Sequence, residues 1–271
     1  MLRTATLLFV LLLVVSSTTI HAGKNAGGAL IVHTQALGTV PSYCYGLGYD
    51  PCEDTEECFP DPASCVDAET EAPIDPLMGS IVWFYAAFPE NADPGVTVIY
   101  FGHDHNLPAG YLAGWGFCGP AGSLEIPDTG WPSDPNAGNS LAFGEPVAGN
   151  HLIRVYWFGV YGEAGFYHGT TANPTGGYAA FVSDDNPGGL DEIHLFGQVL
   201  WGEPGFNECP EPLVAGACCF DDGGCEPLYE YQCFEAGGIE WISGEACEPE
   251  NPCTPTAAEW TTWGALKTDH R

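Results

Sequence analysis

The sequence predicts a mostly β protein: an antiparallel β-sandwich, then a small disulfide-rich module, then a short C-terminal helix. Three observations point there. Short apolar runs rich in Val, Ile, Phe, Tyr and Trp recur between Gly and Pro turns, with no helix-period stretch before residue 255. Six of the twelve cysteines crowd into residues 218–253. Finally, Trp260, Trp263 and Leu266 recur at i, i+3, i+6, with Glu259 early and Lys267 and Arg271 late, as a helix dipole favours.

The chain opens with Met1–Ala22, which reads as a signal peptide. Arg3 supplies the positive end, Leu7–Val15 the apolar core, and Ile20-His21-Ala22 a cleavage site with a small residue last. That core is shorter than the ~20 apolar residues a membrane span needs. Residues 23–212 form the predicted sandwich. Its strands are expected at 29–34, 80–88, 95–102, 111–117, 123–126, 140–143, 151–161, 177–183 and 192–201. Two of these, Ile81–Phe88 and Leu152–Tyr161, are apolar on both alternating faces. They belong at the centre of a sheet with both sides covered, or else present an aromatic contact face. In the second, Val155, Trp157 and Gly159 are expected to point one way and Tyr156, Phe158 and Val160 the other.

Between the first two strands lies an insertion, residues 41–78, with Cys44, Cys52, Cys58 and Cys65 and many carboxylates, among them Asp50, Glu53, Asp54, Glu56, Glu57 and Asp61. A loop of that length inside a compact domain is unusual and is a candidate contact surface. The break Cys209-Pro210-Glu211-Pro212 ends the body. Residues 213–253 then form a module too small for a core of its own and dependent on cross-links, with a short helix expected within 227–237. Residues 254–271 are the tail.

The twelve cysteines of an exported chain read as disulfides rather than thiols or zinc ligands. Closure within groups is the simplest arrangement: Cys44, Cys52, Cys58 and Cys65; Cys118 with Cys209; and Cys218, Cys219, Cys225, Cys233, Cys247 and Cys253.

Charge excludes some partners. Five basic residues face thirty-six acidic ones, a net charge of −31, and Arg154 is the one Lys or Arg between Lys24 and Lys267. Nucleic acid and anionic membrane are excluded as partners, because binding them depends on Lys and Arg. Basic proteins, glycans, cell-envelope components and divalent cations remain compatible.

A resemblance supports the same placement. The run Gly216-Ala217-Cys218-Cys219, Asp222-Gly223-Gly224-Cys225, Cys233, Cys247 and Asn251-Pro252-Cys253 resembles a cysteine module that recurs in secreted bacterial proteins. The closing Thr261-Thr262-Trp263-Gly264-Ala265-Leu266-Lys267 with Arg271 is similar to tails that follow such modules. The body, from Gly27–Thr34 through Pro174–Phe181, resembles a group of exported proteins. The resemblance implies extracellular placement and carries no catalytic residue with it.

Several clusters could carry chemistry. His103-Asp104-His105 ends a strand, and an H-x-H pair projects both imidazoles to one face, as zinc sites require; His151, His168 or His194 could complete the set. Asp184, Asn186, Asp191 and Glu192 flank a Gly turn and suit calcium, although the EF-hand spacing is absent. Arg154 is either one half of a structural ion pair or a binding residue for an acidic ligand. Glu163 and Glu203 could act as an acid–base pair, and Trp83, Trp115, Trp131, Trp157 and Trp201 could form a sugar-stacking platform. No nucleophile elbow, zincin helix, phosphate loop or dinucleotide fingerprint occurs. The sequence thus favours a secreted, non-catalytic structural or interaction protein with no certain cofactor and calcium as the candidate ion. A metal-dependent extracellular hydrolase using His103 and His105, or a carbohydrate-binding module, are the alternatives.

Overall fold

The computed structural model describes residues 23–41, 51–52, 58–75, 77, 79–185, 188–249 and 251–253. The expected leader, much of the insertion and the expected C-terminal helix lie outside them.

The protein is mostly β. The body contains β1 (Ala29–Ala36), β2 (Glu71–Ala72), β3 (Ser80–Ala87), β4 (Gly95–His105), β5 (Leu112–Phe117), β6 (Leu124–Pro127), β7 (Ala137–Ala148), β8 (Leu152–Val160), β9 (Tyr167–Thr171), β10 (Ala180–Ser183), β11 (Leu190–Glu192), β12 (Leu195–Trp201) and β13 (Phe206–Asn207). Among the described residues these make one thirteen-stranded sheet, whose main path runs β11-β10-β4-β9-β12-β1-β3-β8-β5. Most pairings are antiparallel, as the hairpin-like punctuation predicts. Two are parallel: β1 beside β12, and β12 beside β2.

The sheet curls so that its two halves face one core. From β1, β3 and β8 come Leu30, Val32, Val82, Phe84, Ala86, Val155, Tyr156 and Phe158. They meet Val96, Ile99, Phe101, Leu141, Phe181, Val199 and Trp201 from β4, β7, β10 and β12. Each such large side chain contributes roughly 1.5–3 kcal/mol on burial.

Every residue of β3 is buried. Val82, Phe84 and Ala86 face this core, while Ile81, Trp83, Tyr85 and Ala87 face a second one with Val40, Cys58, Phe59 and Cys118. The insertion is therefore a lid over the outer face of β3. This explains why β3 is apolar on both alternating sets: one packs on the far half of the sheet, the other under the lid.

Strict alternation fails once in β8. The β3–β8 register pairs Phe84 with Tyr156 and Tyr85 with Arg154, so Val155 is the extra residue of a β-bulge. The bulge turns Val155 into the same core as Tyr156 and Phe158, rather than to the Trp157 side expected for it.

The cystines also depart from grouped closure. Cys52 bonds Cys118 and Cys65 bonds Cys209, so two of the insertion's cysteines tie it to distant parts of the body. A lid held only by internal bridges would be free to lift, and these two fasten it to what it covers. Cys58 is disulfide-bonded too, and no described cysteine is free. Cys44 lies outside the described residues.

In the C-terminal module the grouped expectation does match. Cys218–Cys233, Cys219–Cys253 and Cys225–Cys247 close among themselves. They staple a three-stranded sheet of β14 (Gly216–Cys219), β15 (Cys225–Leu228) and β16 (Glu240–Ser243), ordered β15-β14-β16. The short helix α1 (Glu230–Glu235) falls inside the expected span and buries Tyr231 and Cys233. Asn91 of the body bonds the Leu213 backbone in both directions, at 3.0 and 2.9 Å, and meets the Tyr229 hydroxyl at 3.0 Å. The module is thereby docked on the body.

Candidate functional site

The H-x-H pair does project to one side. Both imidazoles are buried, with ring centroids 5.1 Å apart. The third partner is His168 of β9, which the β4–β9 register sets directly opposite His105. His151 and His194 do not join this cluster. Its walls are aromatic: Phe158 lies 4.5 Å and Phe84 5.2 Å from the His168 ring, and Trp131 lies 4.4 Å from His103.

Hydrogen bonding assigns the tautomers. The Asp134 carbonyl can only accept, so His103 Nε2, 3.1 Å away, carries the proton. His103 Nδ1 is then bare and accepts from His168 Nε2 at 3.0 Å. The Leu107 N–H donates to His105 Nδ1 at 3.2 Å, which places that ring's proton on Nε2. Among the described residues His168 Nδ1 is left buried with no hydrogen-bond partner, and His105 Nε2 has only a weak contact with the Pro132 carbonyl. Burial holds all three imidazoles neutral. His103 is lowered to about 3, first by desolvation and then by His105, while His105 and His168 are lowered for the same leading reason.

Among the described residues no group of three or more His, Cys, Asp or Glu side chains is arranged to hold a metal ion. For the histidines the reason is visible: the nitrogens of His103 and His168 that would converge on an ion share a proton instead. His105 alone reaches a cleft of about 230 Å³, lined also by Leu107, Pro108, Ser133 and Asp134.

The acidic turn is not drawn to one point either. The Asp184 carboxylate pairs with Lys24, whose Nζ lies 3.8 Å from Asp185. On β11 the side chains alternate, so Asp191 is buried and Glu192 exposed. Asp191 accepts the backbone N–H groups of Gly23 at 2.6 Å and Asn25 at 3.1 Å, while Glu192 lies 3.7 Å from His194. Asn186 lies outside the described residues.

Arg154 works inside the molecule. Its guanidinium sits over the Trp83 ring, 4.4 Å from the centroid. Nε donates to Asp61 at 2.5 Å and to the Tyr85 hydroxyl at 3.2 Å, and the terminal nitrogens donate to the carbonyls of Pro51, at 3.1 Å, and Phe59. Every one of those acceptors except Tyr85 belongs to the insertion. Sequence reading named Arg154 and Asp61 separately, and nothing local could have joined them across ninety-three positions.

Of the candidate sugar platform, Trp83 and Trp201 are buried, and Trp131 donates to the Tyr156 hydroxyl at 3.1 Å. Trp157 lies against Gly116, where any Cβ would come within 2.5 Å of its Nε1. Trp115 is 46% exposed. Glu163 accepts from the Tyr111 hydroxyl at 2.7 Å.

No protein-family model matches the chain, and no curated protein matches it. Among solved structures, a cohesin module from a Clostridium perfringens ATCC13124 family 33 glycoside hydrolase aligns with 64% of this chain and 98% of its own, at 8% identity and a TM-score of 0.35. A likeness that low carries no argument about function.

Proposed function

We propose that the protein is exported and acts outside the cell as a non-catalytic structural or interaction protein. The observation that carries this reading is the long-range cystine frame. Cys52–Cys118 and Cys65–Cys209 join segments 66 and 144 positions apart and bind a lid onto a sheet. Such bonds persist in oxidising compartments and are reduced in most cytosols. The groups best suited to chemistry serve the fold instead: three neutral histidines in the core, and an arginine fastening the lid. The secreted-protein resemblance of the module and tail agrees with this reading.

The test is fractionation followed by alkylation of native material. The expected result is a chain in the medium or at the cell surface whose cysteines resist alkylation. Recovery from the cytosol with free thiols would overturn the reading. Deletion of residues 254–271 is expected to release the protein from the surface, and unchanged placement removes the tail's part in it.

Calcium enters this proposal in a narrow form. Lys24 is the cation set against Asp184, Asp185, Asp93 and Glu235, so a divalent ion would relieve carboxylate repulsion there. The melting temperature is expected to rise in millimolar calcium relative to chelator, and an unchanged melt would remove the ion. Stoichiometric zinc in the purified protein would instead favour a hydrolase built on His103, His105 and His168. A glycan-binding reading would rest on exposed Trp115 and is tested by retention on polysaccharide columns before and after Trp115→Ala.

A further inference from the structure

Gly23, the first described residue, is fastened into the body. Its nitrogen lies 2.6 Å from Asp191 Oδ1, and the Asn25 N–H donates to Oδ2 at 3.1 Å. The Asn25 side chain then pairs with Gly95 in both directions, at 3.1 and 3.0 Å. Lys24 pairs with Asp184, and the Gly23 carbonyl accepts the Ala26 N–H at 3.0 Å. Each residue from Gly23 to Ala26 has a fixed partner.

Asp191 is the unusual member. It is 5% exposed, and the nearby cation, Lys24, is committed to Asp184 and Asp185. A buried carboxylate held by two amides and no counter-ion is costly to keep charged. Burial raises its pKa above the usual carboxylate value, the Gly23 and Asn25 N–H groups pull it back down, and the Asp185 charge raises it again. Position 23 also admits nothing larger than hydrogen: a Cβ there would stand 2.6 and 2.9 Å from the two Asp191 oxygens.

An independent line reaches the same residue. The leader reading of Met1–Ala22 puts the cut after Ala22, which makes Gly23 the new N-terminus. We propose that hydrolysis of the Ala22–Gly23 peptide bond by an export peptidase, with water as co-reactant, leaves a carboxylate on Ala22 and an α-ammonium on Gly23, and that this half-buried ammonium becomes the counter-ion of buried Asp191. Asp191 is thus a receptor for the processed terminus. An α-amine ordinarily titrates at about 7.7–8.0, so it is mostly charged near neutrality even before the carboxylate stabilises it. Removing the leader therefore completes an ion pair that the precursor lacks, and locks the residue 23–26 turn against β4 and β11.

This inference rests on the exported reading, and its test separates the two. N-terminal sequencing of exported protein is expected to begin at Gly23; an exported chain beginning elsewhere overturns the inference and leaves export standing. Refolded protein starting at Gly23 is then compared with the same protein acetylated at Gly23, each with Asp191 and with Asp191→Asn. Free-terminus protein is expected to melt several degrees above the acetylated form, and Asp191→Asn is expected to abolish that difference. Equal melts of the free and acetylated forms would overturn the inference, because an Asp191 that merely caps backbone N–H groups responds alike in both. Should Asp191→Asn fail to fold, titration of the Gly23 amine in the unsubstituted protein decides. Its acylation at pH 7.5 is expected to be about tenfold slower than that of a free glycyl peptide, a one-unit rise in pKa, and an ordinary rate overturns the proposal.

Discussion

Arg154 illustrates how a lone base is used in a chain of carboxylates. Its side chain is 8% exposed, whereas that of Asp61, its partner, is 50% exposed. The Coulombic part of the pair is therefore partly screened, and much of the value lies in desolvated contacts: the Trp83 face and the carbonyls of Pro51 and Phe59. Arg154→Leu removes all of them and leaves those acceptors under a closed lid. The expected cost is about 3 kcal/mol by chemical denaturation. A Glu-specific protease is also expected to cut the insertion in this variant before the sheets unfold. A lid equally resistant in variant and parent would show that the cystines alone hold it.

Among elements, β4 is paired along both edges. Its first half pairs with β10, its second half with β9, and its other edge with β7. The β4–β9 register gathers His103, His105 and His168. Composition and alternation announce most of the strands: each expected run overlaps an observed one, because Val, Ile and aromatic side chains on a pleat are a local signal. The elements that escaped detection lack that signal. β9 reads Tyr-His-Gly-Thr-Thr, with no apolar run, and β2 and β13 have two residues each. The H-x-H pair was legible because period 2 is local, but choosing His168 over His151 and His194 required a register between strands sixty-five positions apart. Cystine pairing splits likewise. The module's short span favours local closure, whereas Cys52 and Cys65 of the insertion found Cys118 and Cys209 only through the tertiary fold. Because Cys65–Cys209 closes the longer loop, Cys65→Ser with Cys209→Ser is expected to lower stability by about 3–4 kcal/mol. Urea midpoints check this, and a loss under 1 kcal/mol would mean that Arg154 and Cys52–Cys118 already constrain the lid.

At the scale of the whole molecule, two opposed effects set the response to acid. A net charge of −31 makes the folded state repel itself, so protonating carboxylates should relieve it. Burying neutral imidazoles does the reverse. His33 is held down to about 4 and His103 to about 3, with His105 and His168 also lowered, all led by desolvation. An unfolded histidine takes up its proton near 6.5. Between that value and the folded one the unfolded chain binds more protons, so stability must fall as pH falls through this window. For His103 alone, the loss at pH 5 is about 2 kcal/mol. Carboxylates of an unfolded chain take up protons only at about 3.9–4.3, well below histidine's 6.5, so acid reaches the histidine window first. Asp191 and Glu235, both raised by burial, are the acids that answer first and oppose the loss. Urea midpoints are therefore expected to drop from pH 7 to pH 5 and to flatten below about 4.5, where relief of repulsion overtakes the imidazoles. His103→Gln is expected to be less stable than the parent at pH 7 yet to show a shallower fall toward pH 5. A parent whose stability rises steadily from pH 7 to pH 5 would mean that surface repulsion, not the buried imidazoles, governs the acid response.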